Sequence, residues 1–105
     1  MSAPLTEAEF SKHLNTKFRV ATEEPLELEL TEVKGYSSRE HEQTGMERFS
    51  AFFQGPKDRL LPQRMYSLEH DAMGGFDLFL VPVAKDDRGY RYEAVFNYFK
   101  TNKSE

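Results

Sequence analysis

Alternation of apolar and polar residues in two segments constrains the fold of this chain more than any other feature. From Leu26 to Thr31 every second residue is a leucine, and the residues between them are glutamate or threonine. From Tyr92 to Tyr98 every second residue is aromatic or alanine. A period of two residues is typical of an extended strand with one buried and one wet face. Both segments therefore predict strands of a β-sheet.

Periodicity and turn residues together predict six strands. They cover residues 18–21, 26–33, 47–54, 64–70, 76–83 and 90–99. Val33 falls out of phase with the leucines before it, which predicts a bulge or a strand end near Glu32. Pro82 has no N–H to donate, so it predicts an edge position, a bulge or the end of its strand. The strand of residues 76–83 is apolar on both faces, which predicts that it is central or covered on both sides.

Two turns and one helix complete the pattern. Gly74 and Gly75 predict one turn, and residues 85–89 predict a hairpin loop. At the N-terminus, Thr6 and Glu9 have the spacing of a capping box, in which each side chain bonds the free backbone N–H of the other. These residues predict a helix over residues 7–14, which Asn15 can end because asparagine tolerates a left-handed conformation.

The fold class that follows is mostly β, with about six antiparallel strands and one short N-terminal helix. The strands could form a barrel-like, strongly curved sheet or a two-layer α+β sheet. Short strands that are apolar on both faces favour the barrel-like form. The 105 residues suit a single domain, with a polar loop over residues 35–46 and a frayed tail over residues 100–105.

Charge and composition exclude several classes of partner. The net charge is −4 and no run of lysine or arginine occurs, whereas proteins that neutralise phosphates carry a basic patch. We therefore expect no binding to nucleic acid or to an anionic membrane. No signal peptide or apolar stretch of membrane-spanning length is found, and cysteine is absent, so the expected location is the cytoplasm.

Catalytic motifs are missing. His70 lies between Glu69 and Asp71, where a histidine could act as a general base, but no serine lies in a nucleophile-elbow motif. His41 lies between two glutamates, but neighbouring side chains rarely point the same way, and no second histidine completes a metal site. Glycine-rich phosphate loops are also absent. We therefore expect no enzyme activity, no metal and no cofactor.

Several segments together resemble a known family. They are residues 53–56 (Phe-Gln-Gly-Pro), 61–63 (Leu-Pro-Gln), 66–70 (Tyr-Ser-Leu-Glu-His), 79–83 (Phe-Leu-Val-Pro-Val) and 92–97 (Tyr-Glu-Ala-Val-Phe-Asn). The set resembles a family of small bacterial proteins catalogued only as a domain of unknown function. The resemblance covers almost the whole chain. It implies a bacterial origin and a free-standing domain, and it brings no catalytic residues with it.

The same resemblance points to polar residues that are not obvious core. They are Gln54, Gln63, Glu69, His70, Glu93 and Asn97. Glutamine and asparagine beside turns often bond backbone groups that the turn leaves free. We therefore predict a structural polar network for these residues in preference to a ligand site.

Three functional hypotheses remain open. The leading one is a non-enzymatic binding or accessory domain that acts through a protein partner or through self-association, because strands with large side chains on both faces can leave an exposed apolar patch. A second is a structural component of a larger bacterial assembly, such as a tail-like or secretion-type apparatus, by analogy of fold alone. A third is a small-ligand protein or enzyme with Glu69, His70 and Glu93 around a barrel mouth.

Overall fold

The strands close into a barrel. In the computed structural model, which describes residues 5–36 and 46–99, every neighbouring pair of strands is antiparallel and the order around the ring is β1-β2-β3-β6-β5-β4. The elements are α1 (Glu7–Ser11), β1 (Lys17–Val20), β2 (Leu26–Gly35), β3 (Met46–Gln54), β4 (Arg64–His70), β5 (Gly74–Asp86) and β6 (Gly89–Phe99). The mostly-β prediction with six antiparallel strands and one short helix is confirmed. The predicted polar loop lies largely outside the described residues, and the predicted tail lies wholly outside them.

The ring consists of two three-stranded meanders, β1-β2-β3 and β4-β5-β6, joined along two seams of unequal length. The long seam pairs β3 with β6 over nine residues, from Met46 opposite Phe99 to Gln54 opposite Arg91. The short seam pairs β1 with β4 at two positions only, Arg19 opposite Glu69 and Val20 opposite Leu68. The barrel is therefore held much less extensively on the β1–β4 side.

Both irregularities predicted from the sequence are bulges. The register of β2 against β3 shifts between Leu30 and Glu32, as the phase change at Val33 indicates. The register of β5 against β6 shifts between Pro82 and Ala84, so a bulge accommodates the missing N–H of Pro82. Each bulge bends its strand, and bending of this kind helps a sheet to close into a barrel.

Apolar side chains fill the barrel and close both of its ends. The fully buried large side chains include Tyr92, Phe53, Leu28, Leu30, Leu68, Met73, Leu80 and Val20. At one end Phe10 of α1 inserts among the rings of four phenylalanines, with centroids 5.3–6.3 Å away. At the other end Leu61, in the connection from β3 to β4, is buried and donates its backbone N–H to the hydroxyl of Tyr92 at 2.9 Å.

The helix is shorter than predicted. Thr6 caps it as expected, because its side chain accepts a hydrogen bond from the N–H of Glu9, but α1 ends at Ser11 and not at residue 14. The chain turns early because Asn15, at a φ of 69°, donates its N–H to the carbonyl of Leu30 at 2.7 Å. Pairing with β2 thus ends the helix, and it leaves Leu14 38% exposed.

Two turns differ from the sequence prediction. The turn between β4 and β5 consists of residues 71–73, and Gly74, at a φ of 85°, begins β5. The predicted loop of residues 85–89 is a tighter hairpin, since Asp86 pairs with Gly89 across the turn. The carboxylate of Asp86 accepts hydrogen bonds from the N–H groups of Arg88 and Gly89 at 2.9 and 3.1 Å. Because the aspartate binds the free amides of the turn, the pairing of β5 with β6 can continue up to the hairpin tip.

Candidate interaction surface

Large apolar side chains lie exposed at neighbouring positions on the outside of β4, β5 and β6. Met65, Phe79 and Val95 are 58%, 46% and 60% exposed. Met65 is directly opposite Phe79, and the pairing of Val81 with Glu93 brings Val95 level with Phe79 in the antiparallel ladder. They form one apolar patch across three strands, which we call the outer patch. Residues 76–83 were predicted to be central or covered on both sides; β5 is central, between β4 and β6, but its outer face is open at Phe79.

Polar and charged contacts border the outer patch. On the β3 side, Phe52 is half-buried beneath the guanidinium of Arg91, which lies 4.4 Å from the ring centroid and pairs with Glu32 at 2.5 Å. On the β4 side, the hydroxyl of Ser67 donates to Asp77 at 2.7 Å. An apolar centre with a polar rim is the arrangement found at many protein interfaces.

The sequence contains a signal for this patch that the strand predictions did not use. Val95 lies between Glu93 and Asn97, in the outward phase of β6, and Met65 lies in the outward phase of β4. An apolar residue in the polar phase of a strand has no place in the core of a closed barrel. Its position therefore indicates a surface function or an isolated exposed residue.

Two of the predicted polar residues stabilise the barrel wall. Gln54 donates from its side-chain amide to the carbonyls of Gly55 and Tyr90, at 3.2 and 3.3 Å, where β3 ends. Glu93 accepts a hydrogen bond from the hydroxyl of the buried Ser50 at 2.6 Å, across the long seam. Both contacts support the predicted structural network.

His70 is buried and fully hydrogen-bonded at the end of β4. Its Nδ1 accepts the backbone N–H groups of Ala72 and Met73 at 3.0 and 3.1 Å. Because Nδ1 accepts, the proton lies on Nε2, which donates to the hydroxyl of Thr16 at 2.9 Å. That hydroxyl donates in turn to the carbonyl of His13 at 2.7 Å. The neutral imidazole therefore holds the β4–β5 turn against the start of β1.

Burial and neighbouring charges shift the pKa of His70. Burial lowers the pKa of His70, and the neighbouring His13, with its ring centroid 4.7 Å away, lowers it further. Asp71 raises the pKa and Arg19 lowers it, each by a smaller amount. Glu9 contacts His13 through its carboxylate at 3.4 Å. The neutral form is also the form that the hydrogen bonds require.

The remaining predicted residues do not meet at one place. Glu69 is exposed on the outside of β4, near Arg19 at 3.9 Å, while His70 points into the barrel. Glu93 lies on the outside of β6, separated from β4 by β5. Gln63 and Asn97 are exposed at positions far apart in the fold. The structure therefore does not bring Glu69, His70 and Glu93 together around a barrel mouth.

A cleft of about 600 Å³ lies beside the start of β4. It is lined by Ala21, Thr22, Glu23, Arg59, Leu60, Leu61, Pro62, Arg64, Met65, Tyr66 and Ser67. The turn after β1 forms one wall, and the connection from β3 to β4 forms the floor. Sequence pattern alone does not reveal this cleft, because its lining comes from three segments whose proximity depends on barrel closure.

Two kinds of feature are absent from residues 5–36 and 46–99. No three histidine, aspartate or glutamate side chains there lie close enough to hold a metal ion. No helix in the same residues is long and apolar enough to cross a membrane.

The geometry defines the chain as a small closed antiparallel β-barrel domain with an exposed apolar patch. The chain belongs to the family described as Domain of unknown function (DUF6916), whose model matches residues 5–96. The resemblance expected from the sequence to a domain of unknown function is thereby confirmed. Neither a curated protein nor a solved structure matches the chain.

His70 is expected to make the stability of the fold pH-dependent. An unfolded histidine has a pKa of about 6.5, whereas the pKa of His70 in the folded protein is lowered. The unfolded state therefore binds more protons as the pH falls below that value, so the free energy of unfolding decreases until the folded pKa is passed. Above about pH 7 the folded and unfolded states both hold His70 neutral, so its contribution to the free energy of unfolding is complete. Urea midpoints measured between pH 8 and pH 5 test this expectation.

The control is His13→Gln, which removes a charge that disfavours protonation of His70. The pKa of His70, followed by NMR of the ring protons, should rise in this variant, so the acid-dependent loss of stability should be smaller and should level off at a higher pH. A pKa of His70 at or above that of a free histidine in the unmodified protein would contradict the hydrogen-bond arrangement.

Proposed function

We propose that this chain is a non-enzymatic protein-binding domain whose contact surface includes the outer patch. The observation that carries the proposal is the continuous exposure of Met65, Phe79 and Val95 across three paired strands. A rigid sheet needs no ordering of its backbone when a partner covers these side chains, and their burial releases ordered water. Participation of Gln54, Glu93 and His70 in structural hydrogen bonds supports a role without catalysis.

The test replaces two apolar side chains of the outer patch with polar ones and leaves the core residues unchanged. Phe79→Ser together with Val95→Thr should leave the melting temperature within a few degrees of the original, since both side chains are half-exposed or more. Quantitative affinity capture from cells of the source organism, and sedimentation of the purified protein, should show partners or self-association that the double variant loses.

Leu14→Ser is the matched control, because Leu14 is an exposed apolar residue outside the outer patch. It should retain the same partners as the unmodified chain. Equal loss in the control would indicate nonspecific hydrophobic capture, and unchanged binding by the double variant would overturn the proposal.

A further inference from the structure

The first half of β4 has a neighbouring strand on one side only. Arg64 and Tyr66 pair with Leu80 and Leu78 of β5. On the other side β1 ends at Val20, and the last hydrogen bond from that side runs from the N–H of Ala21 to the carbonyl of Ser67 at 2.9 Å. Among the described residues no strand continues beside Arg64–Tyr66, which we call the β4 edge.

The polar backbone groups of Met65 face this open side. In an antiparallel ladder the N–H and C=O of one residue point the same way, and the direction alternates along the strand. Since the carbonyl of Ser67 points towards β1, the N–H and C=O of Met65, two residues away, point in the same direction. An unpaired strand edge of this kind is a template for another extended chain.

The space beside the β4 edge is already formed. The cleft of about 600 Å³ described above adjoins Met65 and has the size of common ligand pockets. Arg59 fixes its wall, because its guanidinium donates to the carbonyl of Glu24 and to the hydroxyl of Thr22. A strand could therefore enter without a rearrangement of the barrel.

The side chains around the cleft select for an acidic and apolar segment. Arg59 and Arg64 both line it, and within the described part of the chain neither is within ion-pairing distance of a carboxylate. Against these two positive charges stands one lining carboxylate, Glu23, on a chain whose net charge is −4. Leu60, 52% exposed, and Met65 offer apolar contacts. A second copy of this chain would bring the same arginines together, which disfavours it as the occupant.

We infer that an extended segment of a partner protein, with alternating apolar and acidic residues, binds along the β4 edge as an added strand. Main-chain hydrogen bonds to Met65 supply part of the affinity, and Arg59 and Arg64 select acidic side chains. The inference deepens the proposed function and rests on it, because the side chain of Met65 also belongs to the outer patch.

The test uses a blocked, fluorescently labelled peptide of alternating valine and glutamate, with binding followed by anisotropy. Met65→Pro removes the N–H that faces the cleft and no hydrogen bond of the barrel, so it should fold and weaken peptide binding by about tenfold or more. Met65→Ala keeps that N–H and should weaken binding less. A peptide with lysine in place of glutamate should also bind about tenfold more weakly.

Two measurements make the result independent of whether Met65→Pro folds. The amide of Met65 in the unmodified protein should exchange with solvent rapidly, next to slowly exchanging Arg64 and Tyr66, and the peptide should slow it. N-methylation of alternate peptide amides should abolish binding. Absence of binding at millimolar peptide, or equal binding by the N-methylated peptide, would overturn the inference. If the peptide result overturns the inference but the Phe79→Ser, Val95→Thr variant still loses its partners, the proposed function remains supported.

Discussion

Gly89→Ala is expected to destabilise the barrel by about 3 kcal/mol or more. Gly89 has a φ of 139°, a conformation that side chains with a Cβ rarely adopt. A Cβ at this position would also overlap the carbonyl oxygen of Gly55 and lie 2.8 Å from Lys57 N and Pro56 C. All three obstacles are backbone atoms, so rotation of a side chain cannot relieve them. The hairpin tip and the exit from β3 cross too closely for any other residue.

Gly75→Ala is the matched control for this substitution. Its Cβ would lie 3.7 Å from the carbonyl oxygen of Leu68, which is an ordinary contact, and alanine is favoured over glycine in a strand. Thermal unfolding should show a loss of more than about 10 °C for Gly89→Ala and little change for Gly75→Ala. Melting temperatures that agree within a few degrees would contradict the close crossing at Gly55.

Phe10→Ala is expected to cost about 3–5 kcal/mol. Phe10 is fully buried although α1 has only five residues, and its ring contacts those of Phe18, Phe49, Phe76 and Phe96. Truncation would open a cavity at that end of the barrel, because the strand backbones that carry the other rings are fixed by their ladders. The free energy of unfolding in urea measures the loss.

Two further variants show whether Phe10 acts by filling space. Phe10→Leu restores most of the apolar volume and should recover more than half of the loss. Leu14→Ala, on the same segment but exposed, should cost less than about 1 kcal/mol. An equal cost for Leu14→Ala and Phe10→Ala would contradict a specific packing role for the buried ring of Phe10.

Strands and bulges were predictable because they depend on local pattern. The alternation at Leu26–Leu30 and the phase change at Val33 specify a strand and its bulge without reference to any distant residue. The length of α1 was not predictable in this way, because a hydrogen bond from Asn15 to Leu30 of β2 ends the helix. A contact between distant segments therefore outweighed the local helix propensity of residues 12–14.

The candidate surface was predictable only in part. Surplus apolar side chains on residues 76–83 indicated an exposed patch, and Phe79 belongs to it. The contribution of Met65 and the position of Val95 beside Phe79 depend on the strand order, which pattern alone does not give. The β4 edge depends on the length of β1 relative to its neighbour, so it appears only once the ring is assembled.

The unequal seams also set an order for assembly of the fold. Each meander joins strands that are neighbours in the sequence, so its hairpins close short loops and can form early. The seams join residues far apart in the chain, and the short one offers only two paired positions to offset that loss of entropy. Pairing of β1 with β4 should thus be the last step of folding. The β1–β4 seam should also open first when the native barrel fluctuates. The barrel therefore closes last beside the β4 edge, where the segment of the partner protein is proposed to bind.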